Sequence, residues 1–404
     1  MKLIRSVRAL PVLGTGMAVA LTSVFPVVEA GPGKGNSPVI FNHVGTFDVT
    51  TNPGSEVAEI VAALGNGRGL VYTDSDADLI GFVDISDPST PAADGIVEVG
   101  GEPTSVAVAR QYALVGVNTS TEVDVPCLDD GEEDSISYIQ TWDGELRVVD
   151  TKSRAVVATI PLGGQPDSVA VSPNGRYAAI AIENERNEDV SGGFIPQGQE
   201  TTVSPPVGTL PLPECDDVEL TASGDPRPGE LIIVDLKGNP SKWSTRSIDL
   251  TGIGGMFAAP DPEPEYVDIN SRNEAVVTLQ ENNHIVHVDL VSGEIIGDHS
   301  AGSTVIDDLD NTEEELGPQE NGLIEFVDGP LERRREPDAV TFIGSDATAT
   351  ANEGDYEDEA GIEGGSRGFT LFDRGGTVVF DIGMDFEYES ARAGHYNEGR
   401  SENK

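Results

Sequence analysis

A sequence motif that recurs along the chain is the feature that most limits how this sequence can fold. Each copy begins with Pro and an acidic or small residue, continues as an alternating apolar strand, turns at Gly, Asn or Asp, and returns as a second apolar strand that ends in an acidic or amide tip. The clearest copy spans 165–184, others begin at Pro103, Pro264 and Pro337, and a weaker copy begins at Glu59. Alternation of period two with such turns predicts antiparallel hairpins.

Each hairpin is followed by a third strand that ends in Asp and by a fourth, more polar strand. Radial repetition of four strands is typical of a β-propeller, whereas a stacked β-solenoid would have shorter and more regular repeats. The sequence therefore predicts an all-β propeller of four-stranded antiparallel blades, of the WD40 or YVTN kind. Such rings often have roughly six to eight blades, so the visible copies predict an incomplete ring in a chain truncated at its C-terminus, or a ring closed in a way the repeat does not show.

Residues 1–30 have the composition of a secretory signal, with a basic start, an apolar run and small residues before Gly31. An uncleaved membrane anchor is the alternative, because the apolar run is nearly long enough to span a bilayer. Breaks at Pro11 and Gly14 favour cleavage. We therefore expect a secreted, periplasmic or cell-surface protein with no membrane span in its mature chain.

The predicted organisation places a linker or N-terminal strand at 31–44 and the propeller at 45–404. Polar insertions at 122–143 and 185–228 separate the second and third strands of neighbouring units, and each carries one of the two cysteines, Cys127 and Cys215. Insertions at equivalent places on neighbouring blades emerge on the same face. This placement favours a disulfide over two free thiols, in keeping with an exported protein.

The charge balance narrows the range of partners. Asp and Glu number 71 against 24 Lys and Arg, which gives a formal charge of -47. Such a charge repels nucleic acid and anionic lipid, and it suits divalent cations or a salty medium.

A ring of oxygen ligands is the main candidate site. The first strand of each blade lines the central channel of a propeller, so the repeat predicts one level of first-strand residues and a second level of second-strand tips. Carboxylates and carboxamides suit Ca²⁺, although each could instead cap turns and accept hydrogen bonds from its own blade. The candidate metal ligands are Glu59, Asp167, Glu265, Asp338, Glu183, Glu281, Asn282, Asn352 and Glu353.

Weaker patterns give further candidates. Asp74, Asp76 and Asp78 alternate as in a calcium loop, but Leu79 stands where such a loop has Gly, and ordinary turns have the same composition.

Three consecutive arginines, Arg333, Arg334 and Arg335, are candidates for binding a phosphate or carboxylate, or for compensating the acidic run at 307–315.

Histidine is scarce, and His284 and His287 read as packed residues rather than zinc ligands.

The phrases at 263–267, 278–283, 336–339 and 350–355 resemble those of the bacterial choice-of-anchor I proteins. The resemblance covers roughly residues 45–404. It implies a secreted or surface-attached propeller related to proteins labelled alkaline phosphatase-like and to esterase-like phytase domains. In that family the segment similar to 400–404 is followed by another blade, which again implies C-terminal truncation here.

Two functions remain open at this point. The first is a non-enzymatic surface module that binds a protein or glycan and is stabilised by Ca²⁺. The alternative is a calcium-dependent, metal-dependent phosphoric ester hydrolase, in which Ca²⁺ holds a small phosphate ester and generates a nucleophilic water. A third interpretation is a degenerate propeller that binds no ligand. The sequence does not determine whether the protein is an enzyme or what its oligomeric state is.

Overall fold

A computed structural model defines the architecture of the protein. It describes residues 42–129, 132–184, 200–204, 206, 207, 209, 211–213, 215, 218–223, 228–307, 329–354 and 367–393. The predicted signal at 1–30, most of the 31–44 segment, most of the acidic run at 307–315 and the segment 400–404 lie outside these residues.

Five four-stranded antiparallel sheets form the described body of the molecule, one for each copy of the repeat. The first blade consists of β1 (Val61–Ala63), β2 (Gly69–Asp74), β3 (Leu79–Asp84) and β4 (Ala92–Glu98). The second consists of β5 (Glu102–Ala109), β6 (Tyr112–Asn118), β9 (Gly144–Asp150) and β10 (Ala155–Pro161), with an inserted hairpin of β7 (Thr121–Asp129) and β8 (Glu132–Thr141).

The remaining three blades follow the same order. The third consists of β11 (Pro166–Val171), β12 (Tyr177–Ile182), β15 (Glu230–Asp235) and β16 (Ser244–Asp249), with an inserted hairpin of β13 (Glu200–Ser204) and β14 (Glu219–Ser223). The fourth consists of β17 (Pro264–Ile269), β18 (Glu274–Leu279), β19 (His284–Asp289) and β20 (Glu294–Ser300). After the hairpin of β21 (Ser303–Ile306) and β22 (Leu331–Arg334), the fifth consists of β23 (Pro337–Ile343), β24 (Ala347–Asn352), β25 (Gly368–Asp373) and β26 (Val378–Asp381).

Helical structure is sparse within the described residues. Two 3₁₀ turns lie at Val49–Thr51 and Pro240–Lys242, and one helix, α1 (Asp385–Ala393), follows the fifth blade. No helix in the described part of the chain is long and apolar enough to cross a bilayer.

The blades pack face to face in chain order, which confirms the predicted propeller architecture. A separate apolar core lies between each successive pair of blades. Leu114 and Ile180 belong to the core between the second and third blades, and Phe372 belongs to the core between the fourth and fifth. The described first and fifth blades do not meet, so the ring that they form is open.

The second strand of each blade lies in the middle of its sheet, which explains its apolar sequence. All six residues of β12 are buried, whereas the outer strand β10 is mostly exposed. This contrast agrees with the apolar second and polar fourth strands of the repeat.

Long connections share one end of the ring, which we call the upper end. It is the end at which first strands begin and second strands finish. Antiparallel pairing places at this end the connections 119–143, 183–229 and 353–367, and also the segment 301–336 between the fourth and fifth blades. Connections at the opposite, lower end are short, such as 110–111, 151–154 and 290–293.

A disulfide joins two of the upper insertions. Cys127 and Cys215 are bonded, with their Cα atoms 5.0 Å apart. Next to the bridge, the N–H of Leu128 donates to the carbonyl of Pro213 at 2.8 Å. The hairpin of the second blade is thereby fixed to the insertion of the third.

Candidate functional site at the upper end

A β-bulge near the start of the first strand recurs in four blades. In each, the initial Pro pairs with the second strand, and the register then shifts before the next pair. Pro suits the start of an edge strand, where its missing N–H can face away from the partner strand. Bulges redirect side chains and are common beside functional sites. The residues that lie in the bulges are Thr104, Asp167, Glu265 and Asp338.

Hydroxyl groups from neighbouring blades hold these bulges in place. The N–H of Val169 donates to Ser105 Oγ of the second blade at 3.0 Å, and the N–H of Val267 donates to Ser168 Oγ of the third blade at 3.3 Å. Thr104 Oγ1 donates to the carbonyl of Pro166 at 2.6 Å. The positions of the bulged residues therefore depend on contacts between blades.

Two buried threonines accept backbone hydrogen bonds near the upper end, one before the first strand of the first blade and one in the bulge of the fourth blade. The N–H of Ile60 donates to Thr73 Oγ1, and the N–H of Tyr266 donates to Thr278 Oγ1, both at 3.1 Å. Sequence reasoning missed these residues. Their only signal is a hydroxyl within an otherwise apolar second strand.

The bulges bring carboxylates together around Glu265. Asp167 and Asp338 come from the first strands of the flanking blades, and Glu183 and Glu281 follow the second strands β12 and β18. Burial raises the pKa of Glu265 well above its ordinary value, and the negative charges of Glu183, Asp167, Asp338 and Glu281 raise it further. We call these five residues the acidic cluster.

Two other predicted acids have separate partners. Glu59 is exposed and accepts a hydrogen bond from Ser75 Oγ at 2.8 Å. Glu353 is also exposed and accepts from Gln280 Nε2 at 3.2 Å. Neither residue is among the main causes of the raised Glu265 pKa.

The predicted carboxamide ligands make internal hydrogen bonds. Asn282 is buried: its Oδ1 accepts from the N–H of Glu263 at 2.8 Å, and its Nδ2 donates to the carbonyls of Phe257 and Asp261. Asn352 Oδ1 accepts from Thr350 Oγ1, and its Nδ2 donates to Thr370 Oγ1. Asn282 therefore holds the segment that precedes β17, and Asn352 links β24 to β25.

No three His, Cys, Asp or Glu side chains among the described residues are arranged to hold a metal ion together. The Ca²⁺ site thus stays a prediction, and so do the roles of its individual ligands.

The carboxylate of Asp74 is buried and fully engaged in the first blade. Its Oδ2 accepts from Ser55 Oγ at 2.6 Å and from the N–H of Glu56 at 2.7 Å, and its Oδ1 accepts from the N–H of Ala77 at 3.2 Å. Asp76 and Asp78 are exposed. Asp74 therefore fixes the entry to the first blade, and the calcium loop proposed for these three acids stays untested.

The three consecutive arginines lie in different surroundings. Arg335 is buried, with two guanidinium nitrogens 2.8 and 2.9 Å from Asp381 Oδ2 and a third donating to the carbonyl of Ala301. The guanidinium of Arg334 lies 3.9 Å from the centre of the Phe257 ring. Arg333 donates to the carbonyl of Glu332 at 3.2 Å. Arg335 therefore links the β20–β21 connection to the fifth blade.

Comparison with known proteins gives a family and a set of similar solved structures. The family model described as the choice-of-anchor I domain matches residues 59–363. No curated protein matches the chain. A solved structure of the β-propeller domain of Myceliophteria thermophila Cps50 (Swd1) has 10% identity over 83% of this chain and 88% of that chain, with a TM-score of 0.39. The hydrazine synthase of Kuenenia stuttgartiensis has 12% identity over 73% of this chain and 80% of that chain, with a TM-score of 0.34.

Proposed function

Because the chain belongs to the choice-of-anchor I domain family, which matches it over residues 59–363, we propose that it is an exported, cell-surface binding module. Its ligand is a protein or glycan, which it contacts with the upper end of the open ring. The single observation that carries this proposal is the asymmetry between the two ends. Every long connection between strands and the whole acidic cluster share the upper end, whereas the described lower end has short turns.

Long loops on a rigid sheet scaffold are where binding residues are commonly found. Here two of the upper insertions are fastened together by the Cys127–Cys215 disulfide. A fastened pair of insertions loses less conformational freedom on binding than two separate loops would, which favours affinity. The upper end thus offers a preorganised rim.

The acidic cluster gives this end its preference for positive charge. Glu265 is surrounded by four other carboxylates, and its ionised form is disfavoured. A bound cation would favour ionisation and relieve this repulsion. Ca²⁺ prefers oxygen ligands and accepts irregular geometry, so we propose that Ca²⁺ binds at the acidic cluster and stabilises the module.

Calcium titration of the full chain tests the cation site, with calorimetry for binding and a thermal melt at each concentration. We expect saturable binding and a rising melting temperature in the natural protein, and loss of both effects in Glu265→Gln and Asp338→Asn. A ligand that binds the folded state but not the unfolded state raises the melting temperature in this way.

The matched control is Glu294→Gln. Glu294 is exposed and begins β20 at the lower end, away from the cluster, yet its substitution removes the same single charge. Binding that is equal in Glu265→Gln and Glu294→Gln would refute a calcium site at the acidic cluster, because the effect would then be general screening.

The calcium-dependent phosphoesterase that the sequence offered as an alternative has no observation in its favour among the described residues. Hydrolysis of a phosphate monoester by the full chain with added Ca²⁺ is the measurement that tests it. Turnover that Glu265→Gln abolishes would replace the binding module with an enzyme.

A further inference from the structure

Two histidines of the fourth blade lie in its contact with the fifth blade. His287 in β19 and His299 in β20 have ring centres 6.0 Å apart. The His287 ring lies 6.1 Å from Phe342, and the His299 ring lies 5.2 Å from Phe372, both phenylalanines belonging to the fifth blade. The pair therefore forms part of the packing between these blades.

His287 is buried and His299 is partly buried in this contact. His287 is 5% exposed, and the Nε2 atoms of both rings are buried without a hydrogen-bond partner. His299 Nδ1 lies 3.2 Å from the carbonyl of Ser300, which can only accept, so neutral His299 carries its proton on Nδ1. A Cβ on Gly376 of the fifth blade would come within 2.4 Å of His299 Cγ. The fifth blade therefore packs closely against the His299 ring on this side.

The groups facing His287 are His299, Arg374 and Glu274. Glu274 is already occupied, because Arg374 binds both of its carboxylate oxygens at 3.0 Å and Arg272 contacts it as well. The pKa of His287 is lowered to about 4, mainly because the ring is buried. The positive charges of His299 and Arg374 lower this pKa further, and together they outweigh Glu274, which raises it.

The groups facing His299 are the Ser300 carbonyl, His284, Asp298 and Asp373. Asp298 is shared with His284, whose Nε2 lies 3.0 Å away. The Asp373 carboxylate accepts from the N–H groups of Gly375 and Thr377 in its own turn. Burial lowers the pKa of His299 despite these acceptors. Among the described residues, neither His287 nor His299 makes a hydrogen bond to a carboxylate, and burial outweighs the attraction of Asp298 and Asp373 for a charged His299.

We propose that the contact between the fourth and fifth blades is a proton-sensitive latch, closed while His287 and His299 are neutral and loosened when they are protonated. The fifth blade is the last described blade of the open ring and packs against one described neighbour. The apolar core of this contact is separate from the cores between the other described blades, so its opening leaves those cores intact. Acidification would expose Phe342, Phe372 and the adjoining sheet face.

Hydrogen exchange of the full chain between pH 7.5 and pH 5, corrected for intrinsic exchange rates, measures the opening of β23 and β25. With a pKa of about 4 in the closed interface and the ordinary value of about 6.5 in the open one, His287 alone raises the opening constant about 30-fold at pH 5. Strands β2 and β12 in the first and third blades serve as internal references. We expect no comparable change there.

The variant that removes the latch is His287→Gln combined with His299→Gln, and the control is His43→Gln. His43 is exposed and lies outside the blades. We expect the double variant to lose the pH dependence of β23 and β25 opening, and the control to keep it. Opening of the natural protein that does not change with pH, or a double variant that keeps the full change, would overturn the proposal.

A second measurement decides the matter if the double variant does not fold. The chain has 5 histidines, so their ring resonances can be assigned with single Gln variants and titrated by NMR. A His287 ring that titrates in the folded protein near its ordinary pKa would also overturn the latch. A ring that stays neutral until the fifth blade opens would support it.

Discussion

The hydroxyl of Thr278 connects the fourth and fifth blades beside the acidic cluster, and Thr278→Val removes that connection alone. Thr278 is completely buried. Its Oγ1 accepts from the N–H of Tyr266 at 3.1 Å and donates to the carbonyl of Asp338 at 2.6 Å. Valine has nearly the same shape but can make neither hydrogen bond.

The expected cost follows from the two groups that lose this partner. A buried donor or acceptor left without a partner costs about 1–3 kcal/mol. Thr278→Val leaves two buried backbone groups without this partner, the N–H of Tyr266 and the carbonyl of Asp338. We therefore expect the free energy of unfolding to fall by about 2–4 kcal/mol, since local relaxation recovers part of the loss.

Urea unfolding of the full chain gives the overall change, and hydrogen exchange of β17 and β23 locates it. The second measurement is needed because a repeated architecture can unfold in more than one step.

The control for this prediction is Thr245→Val. Thr245 is exposed in the outer strand β16, and no hydrogen bond of its hydroxyl is found among the described residues. If Thr278→Val and Thr245→Val have free energies of unfolding within about 0.5 kcal/mol of each other, the usual range for surface substitutions, the hydroxyl does not connect the blades as argued.

Two further predictions concern the upper end. Glu265→Gln should raise the melting temperature at pH 8 and leave it unchanged below the ordinary pKa of Glu. A carboxyl whose pKa is raised on folding stabilises the protein below its ordinary pKa, and this contribution is lost as the pH rises. Thermal melts of both proteins from pH 4 to pH 8 check this, and a difference in melting temperature that stays constant across the range would contradict it. Paired Cys127→Ser and Cys215→Ser should lower the free energy of unfolding by up to about 4–5 kcal/mol, the loop-closure value for a sequence separation of 88; urea unfolding checks this, and an unchanged midpoint would show that the insertions are held without the bridge.

The repeat was sufficient to predict the blades because its signals are local. Alternation gave the strands, and the Asp that ends four of the third strands has a local role as well. The carboxylates of Asp84, Asp150, Asp289 and Asp373 each accept N–H groups of the turn that follows. Such turns depend only on neighbouring residues, so they repeat wherever the sequence repeats.

The site was harder to predict because its contacts join distant residues. Thr104 reaches Pro166 and Thr278 reaches Asp338, both across blade boundaries. The register shifts that place Asp167 and Glu265 in bulges have no signature in a single blade. These acids were predicted as candidate ligands from the sequence, but which of them lie together depends on how neighbouring blades pack.

The three consecutive arginines also show that sequence alone does not predict which side chains lie together. The sequence groups Arg333, Arg334 and Arg335 as one basic feature. Consecutive residues of a strand point to opposite faces, and β22 ends at Arg334. Arg335 then turns inward to Asp381, whereas Arg334 lies over Phe257. Adjacency in sequence therefore does not bring these side chains to one place.

Acids at the two ends of the ring have pKa values that shift in opposite directions, and this contrast separates structural acids from candidate ligands. At the lower end, hydrogen bonds from Ser86, Ser153 and Thr377 lower the pKa of Asp84, Asp150 and Asp373, so folding favours their ionised forms. At the upper end, burial and four neighbouring carboxylates raise the pKa of Glu265. A chain that needed acids solely for its turns would have no reason to collect them where they oppose one another. Groups held in such an unfavourable arrangement are typical of functional sites, and a cation is the ligand that would relieve this one.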